Sequence, residues 1–500
     1  VELGGGSLTA AWAAVWASDP DAPLFFQPDP AGSGGAGSGA DSGGRWWSAG
    51  AFDDATRTVA GRLVGAGLAA GDRVVWSTSS SVASVVAHVA ALRCGLVVVP
   101  ANTAYGEREL AHLVVDTRAS AAIVERPDQA AWVRDAAAGA GAAPPVVTGP
   151  GVELPDGDAG PLDGAGPGDP ALIVYTSGTT GTPKGAVLTH GNLLAATEGL
   201  RLAWRWTPAD RLVHCLPIFH VHGLGAGIYG TLRAGASAVL LGHFDPAAVV
   251  EAARTHQATL FFGVPTMYHR LVTSGRACEL AGLRLCVSGS APLSTELHGE
   301  MSRAMGSPVL ERYGMTETMM LTSNPYDGPR RPGTVGFPLP GVEVTLADDG
   351  EILVRGPNVF GGYWGRPDAD AESFVASGDG GRPWFRTGDL GVDDDGWLAI
   401  RGRSKDLVIS GGYNVYPREV EEVLATHPHI AEVAVGGTPS QEWGEVVTAW
   451  IVPDGTPPTV EELLEFTAPL LAAYKRPRLV RIVAELPRNA MGKVVRAELP

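Results

Sequence analysis

Short, wholly apolar runs bounded by glycine and proline alternate along this chain with segments of helical period, and that alternation restricts the fold more than any single residue does. The run Gly95 to Pro100, GLVVVP, follows a helical stretch near Ser81 to Arg93 and precedes a helix that begins near Gly106. A strand apolar at every position is buried on both faces, and helices on both faces of a mostly parallel sheet are the usual means of burying it. The pattern recurs in LIVYTSG, followed by the helical HGNLLAATEGL, and again in ATLFFGVP and LRLCVSGSAP, followed by helical segments at Thr266 to Thr273 and Ser294 to Met305. From Gly333 the texture shifts to short strands with Gly, Pro and Asp turns, which predicts a small β-rich subdomain. After GRSKD it shifts again: a helix PREVEEVLATH, strands AEVAVGG and VVTAWIVP, a helix TVEELLEFTAPLL and a final strand. A domain boundary is expected near Arg403.

Five hundred residues exceed what one hydrophobic core supports, so two or more domains are expected. A formal charge of −17, with no basic run of useful length, disfavours a nucleic-acid partner. Cys94, Cys215, Cys278 and Cys286 are dispersed without CxxC spacing, which argues against a disulfide framework and a structural zinc site. The N-terminal segment lacks a basic stretch and a clear cleavage site, so no signal peptide and a cytoplasmic location are expected. Val82 to Ala101 is strongly apolar but carries His88 and Arg93, and reads as buried helix plus strand rather than a membrane span. Residues 31 to 44, AGSGGAGSGADSGG, are expected to form a flexible loop, and 136 to 170, rich in Ala, Gly, Pro and Asp, a second loose region.

Only four of the 37 basic residues are lysine: Lys184, Lys405, Lys475 and Lys493. A chain that uses arginine wherever a generic cation suffices has kept lysine where a compact, flexible charge is required. Lys184 closes YTSGTTGTPKG, in which small residues let backbone N–H groups approach phosphate oxygens, hydroxyls add donors and the lysine adds charge. The loop is not a Walker A motif, because Pro183 precedes the lysine and Gly185 follows it.

YTSGTTGTPKG resembles the signature of the adenylate-forming superfamily of acyl-CoA synthetases, peptide-synthetase adenylation domains and luciferases. SGSAPLS (288 to 294), ERYGMTET (311 to 318), WFRTGDLG (384 to 391), GRSKDLVISGGYNVYPREVE (402 to 421) and PRNAMGKVVR (487 to 496) resemble its successive motifs in their usual order. The resemblance implies an α/β fold: a large N-terminal domain (1–403) of two doubly wound sheets plus a small β-barrel-like subdomain, and a smaller mobile α+β domain (404–500). It implies ATP binding by Thr176, Ser177, Gly178, Thr179, Thr180 and Lys184, by Ser290, Ala291 and Pro292, and by Glu311, Arg312 and Tyr313, whose ring offers a face to adenine. Thr316 is placed to donate to a phosphate and Glu317 to hold Mg²⁺. Asp389 resembles the acid that accepts the ribose hydroxyls, and Arg403 their second partner.

The resemblance also implies two half-reactions: a carboxylate attacks the α-phosphate of ATP, then the thiol of coenzyme A displaces AMP. Lys493 resembles the lysine that reaches both reacting groups in the first, Lys405 the hinge, and Gly411 and Gly412 the loop that replaces Lys493 for the second. Lys475 has no assigned chemistry. Because the chain ends seven residues after Lys493, free coenzyme A is expected as acceptor rather than a tethered carrier. LPIFHVHGLGAGIYGTLRAGA and the region from Glu311 to Val342 resemble malonyl-CoA and methylmalonyl-CoA synthetases, implying a small dicarboxylic acid. Its second carboxylate needs a cation in an otherwise apolar pocket, and Arg284, opening LRLCVSG, is the candidate, with Ser288 as an added donor. His220, His222 and Met315 are expected to wall the acid pocket; no nearby Cys or carboxylate turns the histidine pair into a metal site. The alternatives are a ligase for another small acid, a stand-alone enzyme loading a carrier protein, and a non-catalytic nucleotide-binding relative.

Overall fold

The computed structural model describes residues 3, 5–29, 43–176, 183–410, 413–440, 443–489 and 492–500, so positions 31–42 of the Gly/Ser/Ala tract lie outside the described residues. The apolar runs form two α/β sheets. In the first, nine described strands run in the order Phe337–Pro338, Thr322–Ser323, Leu310–Tyr313, Leu285–Ser288, Leu260–Gly263, Arg211–His214, Ser237–Leu240, Pro23–Pro28 and Gly44–Ser48. Its middle is parallel, from Leu310–Tyr313 across to Pro23–Pro28. The second has six strands in the order Val146–Thr148, Ala121–Val124, Arg73–Ser77, Val97–Pro100, Pro170–Thr176 and Lys184–Thr189, parallel except for the last pair.

The helix Val82–Arg93 shows why the two sheets form one core. Eleven of its twelve residues are buried, the state expected of a helix apolar on every side. It packs against Val97–Pro100 of one sheet and Pro23–Pro28 of the other, and Ser81 caps its first turn by accepting from Ser84 N–H. Arg93 at its end is buried, donating to Asp163 (2.9 Å), Thr56 (2.7 Å) and Asp53. Asp163 lies in the stretch expected to be loose. That expectation is corrected in part: Pro127–Gly139 is helical, Val146–Thr148 extends the sheet, and Arg93 fastens the segment around Asp163. Composition conceals this order because alanine and glycine carry no pattern, whereas the fastening comes from arginines of other elements, Arg93 on Asp163 and Arg62 on Asp156.

A five-stranded antiparallel sheet, Glu343–Leu346, Glu351–Arg355, Phe374–Val375, Trp384–Asp394 and Trp397–Arg403, forms the β-rich part. It runs into the turn Ser404–Asp406 and then into a last five-stranded sheet, Val408–Ser410, Tyr413–Val415, Ile430–Ser440, Gly444–Pro453 and Leu479–Ile482. This C-terminal unit has its own apolar core, including Val420, Leu424, Val435, Val447, Ile451 and Leu463. No helix among the described residues is long and apolar enough to cross a membrane. In open α/β sheets the carboxyl ends of the strands are where ligands sit. Ser288 and Tyr313 end adjacent parallel strands there.

Candidate active site

Tyr313 ends its strand buried, and its hydroxyl donates to Asp389 Oδ2 at 2.6 Å. Asp389 sits opposite Arg403 in the pairing of Trp384–Asp394 with Trp397–Arg403, and its Oδ1 forms an ion pair with Arg403 Nε at 3.0 Å. The carboxylate raises the pKa of that guanidinium. Thr387, which donates to Ile352 O (2.8 Å), accepts from Asp389 N–H (3.1 Å) and fixes the turn. Three residues from distant motifs thus meet at one carboxylate, as the ribose and adenine assignments require.

After Tyr313 the chain doubles back. A Cβ on Gly314 would stand 2.0 Å from Met319 O, so only glycine allows the turn that Leu321 N–H closes onto Tyr313 O at 2.9 Å. Met315 and Thr316 are half-buried at its tip. Glu317 is buried, which raises its pKa, and its Oε1 accepts from the Tyr363 hydroxyl at 2.9 Å. Lys184 pairs with Thr176 across the antiparallel end of the six-stranded sheet, and its Nζ lies 5.5 Å from the Tyr363 ring centre. The stems of the phosphate loop therefore face Glu317 across Tyr363. Ser177, Gly178, Thr179 and Thr180 lie outside the described residues, as do Gly411 and Gly412.

Ser290, in the left-handed region (φ +70°), shares a hydrogen bond with His222 Nδ1 at 3.2 Å, while Ala291 is half-buried and Pro292 exposed. Glu311 is buried, and burial pushes its carboxyl up to about 7. Burial, reinforced by the charge of Arg312, pushes His220 down to about 4 and His222 well below its ordinary value, so both rings are neutral.

Arg284 is corrected. Its Nε and Nη2 both donate to Asp210 at 2.6 Å, its remaining donors reach Trp204 O and Arg205 O, and the Tyr326 ring lies 5.2 Å away. It precedes the strand Leu285–Ser288, whose other end carries the site, so it is spent on holding the sheet. Arg312, expected among the nucleotide contacts, differs in every respect. It is 5% exposed, and burial pushes its pKa down to about 9, still charged at neutral pH. Among the described residues its Nε and Nη2 make no hydrogen bond; nor do the neighbouring Ser288 Oγ and His222 Nε2. The guanidinium lies against Gly289, where a Cβ would come within 2.3 Å of its Cζ.

Lys493 reaches this site from the C-terminal unit. Its backbone N–H donates to Asn489 Oδ1 (3.0 Å), and its carbonyl accepts from Asn489 N–H (2.9 Å), which forms a tight turn. Beside it, a Cβ on Gly492 would stand 3.1 Å from Thr266 Oγ1, so the turn touches the large domain. Burial, with the Arg403 charge, pushes the Lys493 ammonium down to about 8 against the opposing pull of Asp389 and Asp406. Lys405 is exposed in the turn Ser404–Asp406 between the two sheets. Lys475 forms a 2.6 Å ion pair with Glu419. Two positions that sequence reasoning missed are Tyr363 and Asp116; neither stands in a recognisable spacing, and only the Gly-rich surroundings of GGYWG hint at close packing.

The AMP-binding enzyme family matches residues 15–364, and the AMP-binding enzyme C-terminal domain matches residues 419–493. A malonate–CoA ligase from Arabidopsis thaliana is 38% identical over 453 residues, 81% of this chain and 74% of that protein. Among solved structures, ATP-bound MatB from Rhodopseudomonas palustris is 39% identical, covers 97% of both chains and superimposes with a TM-score of 0.86. A malonyl-CoA ligase in a ternary product complex with methylmalonyl-CoA and AMP is 42% identical over 94% of this chain and 97% of that one, with a TM-score of 0.64.

Replacing Arg284 by Leu strips the buried Asp210 of its main partner and is expected to lower stability by about 3 kcal/mol, read from the denaturant midpoint. The Michaelis constant for the acid should not change. A stable variant with a raised constant would return Arg284 to the acid pocket.

Proposed function

The chain belongs to the AMP-binding enzyme family, and from that premise we propose that it joins malonate or methylmalonate to coenzyme A, with ATP cleaved to AMP and pyrophosphate. It is an AMP-forming acid–CoA ligase. The observation that carries the choice of acid is Arg312, a buried cation with unused donors beside two neutral histidines and a serine. A buried charge is tolerated when a counter-charge with good geometry completes it. A planar guanidinium suits a carboxylate bound through two parallel hydrogen bonds. With Ser290 donating to His222 Nδ1, the Nε2–H of that ring becomes a further donor to the same carboxylate. Acetate or propionate would leave Arg312 unpaired, and a site built to pair a polar group discriminates strongly against a substrate that lacks it.

Chemistry proceeds between Arg312 and Asp389. An ionised carboxylate has about four acceptor positions. Tyr313 takes one at Asp389 and Arg403 pairs with the carboxylate by charge, which leaves acceptor positions for the ribose hydroxyls. Tyr313 presents its ring to adenine. Thr316 donates to phosphate, Lys184 neutralises the phosphates next to the loop, and Glu317 Oε2 is the hard oxygen that fits Mg²⁺. Mg²⁺, when bound, offsets charge on the phosphate oxygens. Lys493 supplies a cation to the substrate carboxylate and the α-phosphate oxygens as pyrophosphate leaves, stabilisation that counts most in a water-poor site.

For the second half-reaction we take Lys405 as a pivot that carries Lys493 away and brings the segment around Gly411 and Gly412 toward the thiol's path. The product complex shares more sequence with this chain than ATP-bound MatB does, yet superimposes less well, a difference that a turned C-terminal domain would produce.

Arg312→Met is expected to lower kcat/KM for malonate by about 30-fold or more, from the roughly 2–5 kcal/mol typical of a desolvated charge pair, while acetate use does not fall. AMP release measured against malonate, methylmalonate, acetate and propionate tests this, and a wild-type preference for acetate or an unaffected variant would refute the malonate assignment. Lys493→Ala should abolish acid-dependent ATP–pyrophosphate exchange yet retain thioester formation from supplied malonyl-adenylate. The ammonium must be protonated to act, so kcat/KM for ATP in adenylation should decline as pH rises through about 8. Loss of both half-reactions together would contradict the division of labour.

A further inference from the structure

Tyr363 has no part in substrate or nucleotide binding as assigned so far, yet its two ends meet groups of opposite charge. Its hydroxyl donates to Glu317 Oε1 at 2.9 Å, and its ring lies 5.5 Å from Lys184 Nζ. Among the described residues no ion pair joins Lys184 to Glu317, although both lie against the same side chain and opposite charges attract. Tyr363 is the side chain that both of them meet, the lysine at its ring and the carboxylate at its hydroxyl. Its place is fixed from several directions: Tyr363 N–H donates to Asp370 Oδ1 (2.7 Å), the Phe360 ring packs edge-on at 4.8 Å, and Phe360 N–H donates to Glu317 O (2.9 Å).

The residues after Tyr363 hold the stems of the phosphate loop. Trp364 N–H donates to Gly185 O (2.8 Å), next to Lys184. Trp364 Nε1 donates to Asp116 O (3.1 Å), and Arg366 pairs with Asp116 Oδ1 (2.8 Å). Asp116 Oδ2 in turn accepts from the Tyr175 hydroxyl on the other stem. One turn therefore touches Glu317, the lysine stem and, through Asp116, the tyrosine stem.

We propose that Tyr363 is a positioning residue that keeps Lys184 and Glu317 from pairing with each other, so that the lysine stays available to phosphate and the carboxylate to the metal of the metal–nucleotide complex. The assignment rests on the roles of Lys184 and Glu317 in the proposed ligase reaction. The phenol engages one carboxylate oxygen and leaves the other for a hard cation. The ring face attracts the ammonium more weakly than a carboxylate would, so a phosphate can draw it away. Removing the hydroxyl alone loosens Glu317, whereas removing the ring also lets the two charges collapse together.

Calorimetric titration of the full chain with Mg·ATP, and with metal-free ATP in EDTA, separates these effects. Tyr363→Phe is expected to weaken Mg·ATP about tenfold, the effect of one hydrogen bond to a charged group, and to leave metal-free ATP within about twofold. Tyr363→Leu is expected to weaken both, and adding Glu317→Gln to it should restore metal-free ATP by freeing Lys184. Should the leucine variant not fold, the phenylalanine variant decides alone, with its melting temperature as the control. Wild-type affinity of Tyr363→Phe for Mg·ATP, or equal weakening of both ligands, would overturn the proposal. A wild-type enzyme that binds no Mg·ATP would overturn the functional reading beneath it.

Discussion

Asp389 is the carboxylate on which the separate parts of this molecule converge. It accepts from Tyr313, which ends a strand of the nine-stranded sheet, and forms an ion pair with Arg403, the last residue before the turn into the C-terminal unit. Tyr313 and Asp389 are both buried, so the bond between them acts where water does not compete for it. The same pair of charges bears on Lys493: Arg403 pushes its pKa down and Asp389 pulls it up. In the proposed reaction a ribose at Asp389 would therefore lie next to Tyr313, to the root of the C-terminal unit and to Lys493. Changing any one of these contacts changes the setting of the others.

The buried cations divide into two kinds, and the division separates structure from function. Arg93 and Arg284 have acidic partners at hydrogen-bonding distance and fasten segments far apart in sequence. Arg312 is buried about as deeply as Arg93 and more deeply than the half-buried Arg284, but it lies among neutral groups: His220 and His222, whose protonation its own charge opposes, Ser288 and Gly289. A protein of marginal stability carries such an uncompensated charge where a ligand completes it. In the proposed reaction that ligand is the second carboxylate of the acid.

The ordered motifs make much of this legible in the sequence. ERYGMTET, TGD and GRSKD place Tyr313, Asp389 and Arg403 together, and the three do meet. Lys493, more than a hundred residues from Asp389, belongs there by resemblance and is felt there electrostatically. Arg284 misleads because its charge suits a carboxylate, yet it opens its strand, at the end away from the cleft, and the buried Asp210 that claims its guanidinium lies 74 residues earlier. Arg312 takes its sequence assignment from its neighbour Tyr313, yet adjacent residues on a strand point to opposite faces and a one-residue step moves a side chain from one environment to another. Tyr363 and Asp116 carry no signal because their contacts span 46 and 250 residues and depend on how three elements cross.

The central claim, that Arg312 recognises the second carboxylate of a dicarboxylic acid, is tested most directly by a crystal structure of the enzyme with a non-hydrolysable malonyl-adenylate analogue. The account predicts the distal carboxylate within hydrogen-bonding distance of Arg312 Nε and Nη2, with the adenosine ribose on Asp389. A distal carboxylate held elsewhere, with Arg312 making no contact to the ligand, would contradict it.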